Sequence, residues 1–76
     1  MLKKYKTLDE TLAKNGFRVS DVCIIGNYVM AKHFNNQTYI CHLTYNGLWS
    51  IDDCKIHTIE SAMKVMQELC VKEFGC

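Results

Sequence analysis

Two short turn signals, Asn35-Asn36 and Asn46-Gly47, cut the stretch from Tyr28 to Ile51 into three apolar-aromatic runs: YVMAKHF, QTYICHLTY and LWSI. Asn-Gly accepts the positive φ that a tight hairpin demands at both central positions, so the second signal is the stronger. Asn-Asn relies on asparagine's tolerance of left-handed backbone. Runs this short, rich in β-branched and aromatic residues and punctuated this closely, fit an antiparallel meander.

If each signal is a two-residue loop, the register follows. Phe34 stands opposite Gln37, Ala31 opposite Ile40 and Val29 opposite His42; further on, Tyr45 meets Leu48 and Thr44 meets Trp49. One face then collects Tyr28, Met30, Tyr39, Cys41, Leu43 and Tyr45. The other collects Val29, Ala31, His33, Ile40, His42, Thr44, Trp49 and Ile51. The first is the greasier and reads as core. The second mixes apolar residues with His and Thr, and reads as an open face. Val29, His33, Ile40, His42, Thr44 and Trp49 are therefore the expected protein-binding residues, with Trp49 as aromatic anchor. An unpaired strand edge offers a second route to a partner.

Helices flank the meander. Thr7-Leu8-Asp9-Glu10 fits a capping box, which predicts a helix of about two turns closed by Asn15-Gly16, with Leu8 and Leu12 turned inward. Thr58 is a good cap for a second helix. Its Ile59, Ala62, Met63, Met66, Leu69, Cys70 and Phe74 recur at three- and four-residue spacing, and Gly75 stops it. Val22 to Ile25 reads as a strand, either a fourth one or the start of a bulged first one, and Asp52 to His57 reads as a loop. The expected fold class is α+β: one small domain over residues 1–76, in α-β-β-β-α order. Its three- or four-stranded antiparallel sheet carries both helices on one face. This order resembles the double-stranded-RNA-binding domain, whose last helix opens on basic residues; from Ile56 to Lys64 this chain supplies only Lys64, with Glu60 opposing it. The entry Ile56-x-Thr58…Ala62 is similar to that of integrase arm-binding domains.

Charge and cysteines bound the function. A formal net charge of +1 argues against binding driven by many phosphate contacts. No apolar run is long enough to span a membrane, and Lys3-Lys4-Tyr5-Lys6 has no apolar segment behind it to make a secretory signal. The five cysteines form no CxxC and no even framework, so a reducing, cytoplasmic setting is expected. Cys41 and His42 are strand neighbours and point to opposite faces, so they form no catalytic pair. Cys54-x2-His57 has the spacing of half a zinc site, without a second half. On the register above, His33 and His42 share a face about 13 Å apart, too far for one ion. No catalytic residue, metal site or cofactor is expected. The reading is a non-enzymatic interaction domain, a stoichiometric inhibitor or adaptor of the kind mobile elements encode, with room for a homodimer. The alternative is a nucleic-acid binder that uses the Trp49/His42 face with Lys3, Lys4, Lys6 and Lys32 on phosphates.

Overall fold

Both hairpin loops hold three residues rather than two, and that single difference rearranges the faces of the sheet. The computed structural model describes the backbone of residues 3–75 and the side chains of residues 7–75. Its elements are α1 (Lys3–Lys14), β1 (Phe17–Ile25), β2 (Tyr28–His33), β3 (Thr38–Tyr45), β4 (Trp49–His57) and α2 (Ile59–Phe74). The four strands form one antiparallel sheet in the order β1-β2-β3-β4, so β1 and β4 are its edges. The α+β class and the helix–strands–helix order are as the residues predict, with the fourth strand present.

At the β2–β3 turn, His33 N donates to Gln37 O (2.9 Å) and Asn36 N to His33 O (2.9 Å), which encloses Phe34, Asn35 and Asn36. Asn36 takes the left-handed conformation, φ 67°, that closes a three-residue loop. The Asn35 side chain fixes the turn by accepting from Gln37 N at 2.9 Å. At the β3–β4 turn Tyr45 pairs with Trp49, leaving Asn46, Gly47 and Leu48 in the loop. Each pairing is therefore one residue off the two-residue prediction. Val29 faces Cys41, Met30 faces Ile40 and Tyr28 faces His42.

A one-residue slip exchanges the faces of a strand. Residues Val29, Ala31, Cys41, Leu43 and Trp49 now bury one face against Leu8 and Leu12 of α1, with Phe17 beside them. Ile40, Met30, Tyr28 and Ile25 line the other, against Ala62, Met66, Val65 and Leu69 of α2. The helices thus cover opposite faces, not one. Burying Leu8 and Leu12, each fully enclosed, contributes about 1.5–3 kcal/mol apiece.

The ends of the helices follow their sequence signals unequally. Thr58 caps α2 by accepting from Ser61 N at 3.1 Å, and Gly75 closes it in the left-handed conformation. Gly16 ends α1 at φ +90°, and a Cβ there would lie 2.6 Å from His33 Nε2, so the position needs glycine twice over. The capping box at Thr7 is not the start, because α1 already runs from Lys3 and Thr11 Oγ1 donates to Thr7 O at 2.9 Å inside the helix. The side chains of Lys3, Lys4, Tyr5 and Lys6 lie outside the described residues.

Two departures from regular pairing shape the edges. In β1, Arg18 pairs with Lys32 and Cys23 with Met30, so residues 19–22 bulge out opposite Ala31 alone. In β4, Leu43 pairs with Ile51 and His42 with Asp53, which leaves Asp52 as one extra residue. Beyond it Cys54 stands opposite Cys41, and the two form a disulfide with Cα atoms 4.0 Å apart. The stretch expected to be a loop is the second half of an edge strand. The odd count of cysteines hides a bonded pair, so the cysteine pattern no longer argues for a reducing compartment. No helix among the described residues is long and apolar enough to cross a membrane.

Candidate functional site

The six residues expected to share an open face are divided between two covered ones. Val29 (0% exposed) and Trp49 (7%) lie beneath α1, and Ile40 (6%) lies beneath α2. His33 stays on the α1 side, where its ring meets Phe17 edge-on at 5.1 Å and Tyr39 at 5.5 Å. His42 is on the α2 side and Thr44 is exposed beside it. The premise of a free sheet face is therefore corrected. Trp49 is a core residue walled in by a helix, and it presents no open ring face on which a base could stack.

What the fold does bring together is a polar corner of the α2 face. Tyr28, His42 and Asp53 form one row across the strands, and Ile40 and Lys55 the next. Because Asp52 is the inserted residue, Asp52 and Asp53 both turn to this side, and alternation resumes with Cys54 facing α1. His42 Nδ1 lies 3.2 Å from Asp52 Oδ2, and Thr44 Oγ1 donates to Asp52 Oδ1 at 3.3 Å. Tyr28 stacks on the His42 ring at 4.8 Å. Tyr28, Ile40, His42, Asp53 and Lys55, with His57, Val65 and Leu69, bound an open groove of about 320 Å³. An imidazole held by a carboxylate is two parts of an acid–base arrangement. The nearby hydroxyl, Thr44, bonds the carboxylate rather than the ring, so it is not placed as a nucleophile.

The metal half-site is also resolved. Cys54 is committed to Cys41, and His57 Nδ1 sits 3.2 Å from Ser61 Oγ at the start of α2. Among the described residues no three His, Cys, Asp or Glu side chains gather closely enough to hold an ion.

The second feature is the outer edge of β4. Leu43 N donates to Asn27 O in the β2 direction at 2.8 Å, so the odd-numbered residues of β3 direct their backbone groups to β2 and the even-numbered ones to β4. Asp53, Lys55 and His57 pair with those even residues. Cys54 and Ile56 therefore point their N–H and C=O away from the sheet, and the close Cys41–Cys54 approach is that of a pair without mutual hydrogen bonds. Ile56 is 59% exposed on this edge, and Ile59 and Met63 at the start of α2 are equally bare. The sequence offers a strand edge in general but does not locate this one, since Asp52 to His57 reads there as a loop. Its signal was the break in alternation at Ile51-Asp52-Asp53-Cys54, where two adjacent carboxylates interrupt a period of two.

No protein-family model, curated protein or solved structure matches the chain.

Proposed function

We propose that the chain is a non-enzymatic interaction domain that binds a protein partner by strand addition at the outer edge of β4, as a stoichiometric inhibitor or adaptor. The observation that carries this reading is the regular run from Asp53 to His57, paired to β3 on its inner side and bare on its outer side. Two residues there, Cys54 and Ile56, hold a donor and an acceptor each toward solvent. Main-chain bonds supply affinity in this mode, and side chains beside the edge supply selectivity. Ile56, Ile59 and Met63 are the apolar contacts available to a partner, and Asp53 and Lys55 are the charged ones.

The test is an affinity capture comparing the wild type with Ile56→Pro. Proline at this position removes an outward N–H and leaves the β3 ladder intact. Partners captured by the wild type and lost by the folded variant support the edge. Equal recovery by both removes it.

A further inference from the structure

The partner that the β4 edge fits best is a second copy of itself, and this inference rests on the edge reading above. Asp53 and Lys55 lie on the same face of β4, two residues apart, and neither has a charged partner among the described residues. An antiparallel strand laid against this edge must place residues of like parity opposite one another if faces are to match. Three self-pairings keep at least three residues of the run from Asp53 to His57 in register. Centring on Lys55 sets two ammonium groups against each other. Centring on Ile56 sets Lys55 against His57. Centring on Cys54 sets Asp53 against the partner's Lys55 and Lys55 against the partner's Asp53, so opposite charges meet twice.

The same register satisfies the backbone and the apolar residues. Cys54 faces its copy with both backbone groups directed outward, as a hydrogen-bonded pair requires. The extra residue Asp52 shifts the far half of the strand by one, which brings Ile51 opposite the partner's Ile56 on the α1 side and covers a side chain now 59% exposed. Lys55 on an otherwise open edge resists any strand that lacks a facing carboxylate. We propose that two copies join by their β4 edges about a two-fold axis at Cys54, making one eight-stranded sheet with both α2 helices on the same side. The contact is isologous and closed, and the bulged β1 edges at its two ends stop further growth.

Sedimentation equilibrium of the oxidised full chain over a wide concentration range tests this. The wild type is expected to pass from monomer to dimer mass. Lys55→Asp, which sets carboxylates against carboxylates, is expected to weaken association at least about tenfold. The double variant Asp53→Lys/Lys55→Asp restores the complementarity and is expected to return association to near the wild-type level. Circular dichroism on each variant confirms the fold. A wild type that stays monomeric throughout, a Lys55→Asp variant that associates equally well, or a folded double variant that fails to recover overturns the proposal. If self-association fails while Ile56→Pro still abolishes capture of another protein, only the choice of partner is wrong. If Ile56→Pro also changes nothing, the edge reading falls with it.

Discussion

The two edges of the sheet are built on opposite principles. β1 pairs with β2 only at its ends, and residues 19–22 form a bulge between them opposite one residue of β2. β4 makes one single-residue departure at Asp52 and then runs in register from Asp53 to His57, with a disulfide to β3 at the second residue of that run. An edge strand is a template for another chain unless something disrupts its line of donors and acceptors. β1 is disrupted. β4 is cross-linked to β3 and regular from Asp53 to His57, where Lys55 is its protecting cation. The difference teaches where a partner strand can lie: a four-residue bulge cannot be matched by a regular strand, whereas Asp53–His57 can.

The contrast can be broken or sharpened by substitution. Replacing both Cys41 and Cys54 by Ala should have the largest effect, lowering stability by about 3 kcal/mol in chemical denaturation, because a 13-residue separation is no longer cross-linked. Added reductant should bring the wild type toward the same midpoint. Proline scanning of β4 comes next and reads its polarity directly. Lys55→Pro removes a bond to β3 and should cost roughly 2 kcal/mol. Ile56→Pro removes only an outward N–H and should cost about 1 kcal/mol or less while ending association. Comparable losses for the two would mean that the strand's inward and outward residues have been exchanged. Smaller again is Asp52→Asn, which loosens a half-exposed pair with His42 and should shift stability by less than about 1 kcal/mol. Least of all, Ser20→Lys in the β1 bulge should change stability within about 0.5 kcal/mol and leave association untouched.

How much of this was legible from the residues depends on which interactions decide each feature. Local chemistry decides the ends of α2, the turn at Gly16 and the existence of the meander, and these were readable at Thr58, Gly75 and the two asparagine turns. Register is decided by loop length, and Asn35-Asn36 has the same composition whether two residues or three are in the loop. The left-handed residue is Asn36 alone, with Phe34 drawn into the turn ahead of it. That residue moved Ile40, His42 and Thr44 away from Val29, the extra residue Leu48 in the second loop moved them away from Trp49, and together the two dissolved the expected site. The disulfide lay further out of reach. A two-residue loop at Asn46-Gly47 puts Asp52 opposite Cys41; only the extra loop residue and the extra residue of the bulge together bring Cys54 there. Ile59, Met63 and Phe74 fit the helical stripe of α2, yet they remain exposed because the sheet is wide enough to cover only the side holding Ala62, Val65, Met66 and Leu69.

Amide hydrogen exchange along β4, followed by nuclear magnetic resonance at low and high protein concentration, bears most directly on the claim that this edge is open and takes a strand. Dilute protein should show fast exchange at Cys54 and Ile56 beside slow exchange at Asp53 and Lys55. At high concentration the two fast amides should become protected while those of residues 19–22 stay unchanged. Protection of Cys54 and Ile56 already in dilute solution, or no gain at any concentration, would contradict the account.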